Sequence, residues 1–212
     1  MQEKFTPLIE NSATHLSAAE ALLKAARIWG APIIATEQYP ERLGPTDNRL
    51  LPLLRTADDV IIHEETRATL TEVFSKTTFS MVTDNTLPVL QNFKTFETAR
   101  TIVLFGWEAH VCVQQTCFDL LDLGFTVYIV ADAVGSQREA DRDAAVRLMA
   151  QAGAHVTTME SLLFMLMRTK EHEKFKQIQP LAIAHARNVK EIAAAASATL
   201  AENESLLLAP YN

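Results

Sequence analysis

The chain has 212 residues, of which 48% are hydrophobic and 21% charged, with 6 glycines and 8 prolines. That is enough apolar material for one buried core and too little for two, and neither the charge nor the glycine and proline content points to extended disorder. A net charge of −7 with a sequence pI near 5.4 gives a surface that repels phosphate backbones, so nucleic acid is not an expected partner.

The first residues, Met1 to Pro7, contain no apolar run behind a basic start, so they do not read as a secretory signal. Leu16, Ala19, Leu22, Leu23 and Ala26 recur at helical spacing and predict a helix through Trp29, stopped by Gly30. Pro32 to Thr36 follows as a short apolar strand, and Val60-Ile61-Ile62 is a second. Thr101 to Gly106 is the clearest strand, because it is β-branched, continuous and closed by glycine. A helix is expected from about Cys112 to Leu123, with Gly124 at its C′ position, then a strand over Thr126 to Ala131. A further helix from about Arg138 to Ala152 ends at Gly153, and His155 to Thr158 forms the last strand. Apolar strands alternating with helices read as β-α-β units around a parallel sheet covered on both faces, that is, a doubly wound α/β fold.

The longest apolar-biased stretch, Ser161 to Met167, is too short to span a bilayer, so no membrane partner is expected. From about Pro180 the character changes. Ile192 to Leu200 is alanine-rich, followed by Glu202-Asn203-Glu204 and Leu206-Leu207-Leu208. We read residues 1–180 as the folded domain and 181–212 as an appended helix and tail, docked on a partner subunit or lying on the surface.

Two cysteines cannot make a disulfide framework. On one helix Cys112 and Cys117 would point about 140° apart and would not bridge each other, which fits a reducing, cytoplasmic compartment. Cys112 follows the clearest strand, in Gly106-Trp107-Glu108-Ala109-His110-Val111-Cys112-Val113. A parallel sheet places it at the carboxyl end of a strand, where doubly wound folds bind ligands, and at a helix start, where free N–H groups favour a thiolate. The alternative is an inert cysteine packed as a small hydrophobe.

A nucleophilic cysteine needs a neighbour to take or hold its proton. Lys76 lies in Phe74-Ser75-Lys76-Thr77-Thr78-Phe79-Ser80, an unusual setting for a solvated charge. Beside a thiol it would stabilise thiolate and a developing oxyanion; otherwise it is a snorkelling surface lysine. His110 is only two residues from Cys112, and His15, His63, His155, His172 and His185 have no evident pairing with it. The six histidines show no spacing suited to a metal, so no metal or other cofactor is expected. Thr36-Glu37-Gln38-Tyr39-Pro40 and Leu43-Gly44-Pro45-Thr46 follow the first strand at the same edge, and either contact substrate or form an ordinary turn.

In four blocks the sequence resembles the isochorismatase-like cysteine hydrolases, and within them the isochorismatase-domain-containing proteins. The blocks are Met1 to Phe5; Thr36 to Pro40 with Leu43 to Thr46; Lys76 to Met81; and Gly106 to Val113, continuing to Val130-Ala131-Asp132-Ala133-Val134. The resemblance spans about residues 1 to 178 and implies a three-layer α/β fold, a small-molecule substrate, a homo-oligomer and an Asp-Lys-Cys triad. Carried over, Cys112 is the nucleophile and Lys76 the lysine, while a cis peptide at Trp107-Glu108 aims the N–H groups of Glu108 and Cys112 at one oxyanion. Gln2, Phe5, Glu37, Tyr39 and Trp107 are the candidate substrate-binding residues. The implied reaction is hydrolysis of a small amide or related C–N bond through a thioester.

One departure bears on this. In the family the aspartate ends the first strand and directly precedes the Met-Gln pair, which here is Met1-Gln2. Two readings follow: the natural chain begins upstream with a first strand, or this is a catalytically impaired relative kept as an interaction or scaffold protein. Removing a central strand would orphan buried backbone groups at about 1–3 kcal/mol each, against a total stability of about 5–15 kcal/mol, which favours the first. Asp47, Asp58, Asp59 and Asp84 sit in no motif that suggests a replacement. A nuclease role is disfavoured by the acidic balance.

Overall fold

Helical periodicity and apolar strands resolve into an α/β architecture of parallel sheets. The structure, a computed structural model, describes residues 1–54, 73–95 and 100–207. The Val60-Ile61-Ile62 strand expectation, His63, Asp58 and Asp59 lie outside the described residues.

The first long element is α1 (Ser12–Trp29), whose Leu16, Ala18, Ala19, Ala21, Leu22, Leu23 and Ala25 are buried. Gly30 ends it at φ 69, a left-handed cap glycine adopts without a Cβ penalty, and the N–H groups of Gly30 and Ala31 close on the Arg27 and Ala26 carbonyls. Strand β1 (Ala35–Gln38) pairs in parallel with β2 (Val73–Lys76), in the register Ala35 to Val73 through Gln38 to Lys76. Between them lie the short helices α2 (Pro40–Leu43) and α3 (Leu51–Leu54). The paired segment sits three residues after the expected start at Pro32, because the ladder runs through Thr36, Glu37 and Gln38 and not through Ile33 and Ile34.

A second sheet holds β3 (Thr101–Trp107), β4 (Thr126–Gly135) and β5 (His155–Thr157) in that order, all parallel. Helix α4 (Leu87–Thr95) precedes it, and α5 (Gln114–Asp122), α6 (Glu139–Gln151) and α7 (Met159–Met167) follow successive strands. One face of β4 places Val127 and Ile129 against Leu120 of α5 and Met149 of α6; the other turns Val130 and Ala133 towards α1 and α7. Coverage on both faces explains why these strands read as continuous apolar runs. The pairing of β3 with β4 shifts between Leu104 and Gly106, and the carbonyls of Ala131 and Val134 in the irregular stretch accept from the Arg142 guanidinium.

Helix α8 (Phe175–Leu207) begins before Pro180 and continues through it. Ile178 and Ala182 are buried, and Ile178 packs in the cluster formed by α1 and α7. Among the described residues no helix is long and apolar enough to cross a membrane.

Among the described residues the two sheets share no strand pairing. A cavity of about 500 Å³ lies between β1 and β3, lined by both strands, by Leu22, Leu23 and Ala26 of α1, and by Met1 and Gln2.

Candidate functional site

Cys112 leaves the sheet at the carboxyl end of β3. The Trp107–Glu108 peptide is cis, and the chain then forms a π-helical turn, Ala109–Val113, that runs into α5. Helical structure therefore begins at Ala109, three residues before the cysteine, and the N–H groups of Val111 and Val113 bond the Glu108 carbonyl. Cys112 is partly exposed and free, whereas Cys117 is a fully buried thiol whose burial pushes its pKa up to about 11. Of the two sulfurs, only Cys112 lines the cavity.

Lys76 reaches the same cavity from the end of β2 and is only 7% exposed. Its Nζ donates to the Thr78 carbonyl at 2.9 Å, the Phe79 carbonyl at 2.7 Å and Gln38 Oε1 at 2.5 Å. Burial lowers the lysine's pKa, and the negative charge that Cys112 can carry opposes that shift. The lysine is thus held by neutral oxygens within electrostatic reach of the sulfur.

Thr116 joins the two sides. Its hydroxyl donates to the Cys112 carbonyl at 2.6 Å and accepts from the Met81 N–H at 2.9 Å, tying the loop after Lys76 to the turn carrying the cysteine. His110 faces elsewhere: its Nδ1 bonds Ser136 Oγ at 2.9 Å and lies 3.4 Å from Glu108 Oε2. Gln137 donates to the other carboxylate oxygen of Glu108.

The remaining candidates divide by position. Gln2 is buried and lines the cavity; its amide nitrogen donates to the Gln38 and Gly44 carbonyls, and its oxygen accepts from the Gln38 N–H. Trp107 also lines the cavity, while Phe5, Glu37, Tyr39 and Glu108 do not. Glu37 accepts from the Thr46 N–H at 2.6 Å, which shapes the Leu43–Thr46 loop. Tyr39 is exposed, with its ring 5.8 Å from the Arg42 guanidinium carbon. The Met1 amino group lies within electrostatic range of Glu37, Cys112, Asp47 and Lys76. Asp47 is turned to Arg49 and Thr6, and the bonds from Arg49 bring its pKa below the usual carboxylate value against the opposing effect of burial. Among the described residues no group of three His, Cys, Asp or Glu side chains is placed to hold a metal.

Sequence reasoning did not single out Gln38 and Thr116. The signal for Gln38 was its place inside the Thr36 to Pro40 block; for Thr116 it was the spacing of four residues from Cys112, one helical turn.

Comparison with known proteins gives a consistent answer. A family model described as the isochorismatase domain matches residues 1–161. Isochorismatase domain-containing protein 1 of Danio rerio is 42% identical over 180 residues, covering 84% of this chain and 57% of that protein, so the chain spans less than two thirds of that relative's length. Isochorismatase domain-containing protein 2 of the same organism is 38% identical over 185 residues, covering 87% of this chain and 84% of that protein. A solved structure described as the MAR1 ribonuclease of Caenorhabditis elegans superposes with a TM-score of 0.74 at 37% identity, covering 86% of this chain and 85% of that one. The chain belongs to the isochorismatase-domain family.

Proposed function

We propose that the protein is a cysteine hydrolase acting on a small amide or a related acyl C–N bond, with Cys112 as nucleophile and Lys76 as its electrostatic partner. Family membership supports the hydrolase role. The observation that carries the finer reading is one cavity containing a partly exposed thiol and a buried lysine, the lysine in range of the sulfur and bonded, among the described residues, to neutral oxygens.

In the proposed reaction the sulfur attacks the carbonyl carbon, and the N–H groups of Glu108 and Cys112 receive the developing oxyanion. The C–N bond breaks, the leaving nitrogen takes a proton, and water then cleaves the thioester to a carboxylic acid and free thiol. The proton released by the thiol ends on the leaving nitrogen, and a proton of the attacking water returns to the sulfur. Gln2 and Trp107 border the substrate; Phe5, Glu37 and Tyr39 shape the approach. The same reading makes the protein a cytoplasmic homo-oligomer, which size-exclusion chromatography with light scattering checks.

The test is turnover of a panel of small primary amides and N-acyl compounds by the protein and by Cys112→Ala. The expected loss for the variant is at least about 10³-fold; an unchanged rate on a turned-over substrate overturns the mechanism. A ribonuclease reading is favoured by the name of the worm structure and opposed by the net charge of −7. Cleavage of a short RNA that survives Cys112→Ala would favour it.

A further inference from the structure

Glu108 carries its charge away from the cavity. The residue is 8% exposed and does not line the cavity, although Trp107 before it and Cys112 after it both do. Its Oε1 accepts from Gln137 Nε2 at 2.5 Å; its Oε2 has no hydrogen-bond partner among the described residues and lies 3.4 Å from His110 Nδ1. Among the described residues no lysine or arginine pairs with this carboxylate. A carboxylate buried with one oxygen unfilled is costly, and a cost of that kind calls for a reason in the structure around it.

The reason lies in what the end of β4 grips. Gly135 pairs with Trp107 at the last rung of the β3–β4 ladder. Two residues on, Gln137 holds the Glu108 carboxylate, so a side-chain bond continues the pairing past the last backbone rung. Between them Ser136, 1% exposed, has its hydroxyl 2.9 Å from His110 Nδ1 and its carbonyl bonded by the Glu10 N–H. Residues 135–137 thus hold the chain at Trp107, His110 and Glu108. From the other side the Glu108 carbonyl accepts from the Val111 and Val113 N–H groups at 3.3 and 3.1 Å, which opens the turn that carries Cys112. With carbonyl and carboxylate both engaged, the Glu108 backbone cannot turn without breaking one of these bonds, and the direction of its N–H is fixed with it.

We propose that Glu108 is, through its side chain, a positioning residue for the Cys112 turn: clamped to Gln137, the carboxylate holds the turn so that the sulfur and the Glu108 N–H meet the same carbonyl group. In acyl transfer the sulfur approaches the carbonyl carbon while a donor waits where the oxygen will stand, and a misplacement of about 1 Å forfeits much of the rate. The carboxylate stays out of the reaction and acts through the backbone it is attached to. Removing it should slow addition to a carbonyl and spare reactions of the thiol that develop no oxyanion. This inference rests on the reading of Cys112 as nucleophile and of the Glu108 N–H as an oxyanion donor.

The experiment compares two reagents on Cys112 in the full chain. p-Nitrophenyl acetate is attacked at its carbonyl carbon: an electron pair moves onto oxygen, collapse of the adduct expels p-nitrophenolate, and the acetyl group stays on sulfur as a thioester. Iodoacetamide is attacked at a saturated carbon and loses iodide, which places no charge on a carbonyl oxygen. Mass spectrometry of the Cys112 peptide reads both modifications apart from Cys117, and far-UV circular dichroism confirms that each variant is folded. Glu108→Ala should slow acetylation by about tenfold or more and keep alkylation within about twofold of the native rate. Gln137→Leu, a change at an exposed position, should slow acetylation severalfold and add nothing in the Glu108→Ala background, because the two groups form one clamp. It also carries the comparison by itself if Glu108→Ala does not fold. If Cys112 of the native protein takes no acetyl group, or Cys112→Ala releases p-nitrophenolate as fast as the native protein, the nucleophile reading fails and the inference fails with it. If Cys112 is acetylated and the ratio of acetylation to alkylation stays native in the folded variants, the nucleophile reading stands and the role of Glu108 is overturned. Equal slowing of both reactions also overturns it, because the side chain would then govern the thiol and not its alignment with a carbonyl.

Discussion

The two sheets of this protein are built from the same kind of parallel pairing and differ in what covers them. In the β3–β4–β5 sheet, Val127, Ile129, Val130, Ala133 and Val134 are all fully buried, with α5 and α6 on one face and α1 and α7 on the other. In the β1–β2 sheet every residue of β1 is only half-buried, and among those of β2 Lys76 alone is fully buried. A cavity occupies the space beside β1. The closed sheet presents Cys112 and the open one presents Lys76 and Gln38. Cys112 is thus mounted on the densely packed half, while Lys76 rides on a pair of short strands tied down by side-chain hydrogen bonds.

If packing is what separates the halves, an aliphatic deletion should be felt very differently in each. Ile129→Ala removes a fully buried side chain from the centre of the closed sheet and should cost about 2–5 kcal/mol. Ile34, which borders the cavity and packs only at the edge of that core, already lacks neighbours on one side; Ile34→Ala should cost about 1 kcal/mol. Urea unfolding of both variants reads the difference directly, and equal losses would mean that the halves are packed alike.

The closed half also contains a buried ionisable group. His15 on α1 is 5% exposed, its Nδ1 has no hydrogen-bond partner among the described residues, and burial, reinforced by Arg142, lowers its pKa from 6.5 to about 4. The native state therefore keeps this imidazole neutral where the unfolded chain protonates it. Its contribution is present in full above about pH 6.5 and is lost as pH falls from 6.5 towards 4, by up to about 3 kcal/mol. Unfolding free energy measured between pH 7 and 5 should fall for the native protein and stay flatter for His15→Leu. Asp47, whose carboxyl is lowered by its bonds to Arg49, contributes only at lower pH.

The same imidazole explains the glycine that closes β4. A Cβ on Gly135 would stand 2.5 Å from His15 Cε1 and 2.7 Å from Ile9 Cγ2, and closer still to His15 Nδ1. Gly135→Ala should destabilise by about 1–3 kcal/mol through overpacking. Combining it with His15→Ala should recover part of that loss, because the two changes compete for one space. Strict additivity would show that the backbone, and not the ring, is what forbids the methyl group.

The contrast between the sheets also decides what the sequence could reveal. Thr101 to Gly106 and Thr126 to Ala131 are legible as strands because burial on both faces demands unbroken apolar runs. The open sheet has no such demand. Its ladder runs through Thr36, Glu37 and Gln38 and through Ser75 and Lys76, and so the apolar Pro32-Ile33-Ile34 drew the expected strand too early, while β2 carried no strand signal at all. The helix after β3 starts earlier than its apolar pattern suggests, because the turn at Ala109 is closed by the Glu108 carbonyl and not by side-chain burial. Cys112 and Lys76 could be nominated from the sequence because each has a distinctive local setting. Gln38 could not, because its bond to Lys76 comes from standing opposite it across a strand pair separated by 38 residues in the chain, and no local pattern encodes that register.

Thr116 offers the smallest change that bears on the comparison, because the residue is buried and its hydroxyl is a direct bridge between the halves. Thr116→Val keeps the shape, removes the bond to the Cys112 carbonyl and leaves the Met81 N–H without its acceptor, at about 1 kcal/mol of stability. If the bridge only holds the fold together, the alkylation profile of Cys112 should not move. If it sets the distance between the sulfur and the lysine loop, alkylation at neutral pH should slow severalfold, and Thr116→Ser, which restores the hydroxyl, should return it to the native rate. Ile129→Ala is the matched control: it costs more stability than Thr116→Val and leaves both hydrogen bonds of the Thr116 hydroxyl in place, so it should leave the thiol's reactivity unchanged. A loss of reactivity in the control equal to that in Thr116→Val would mean that the thiol responds to stability alone, and that the two halves communicate through packing and not through this one hydroxyl.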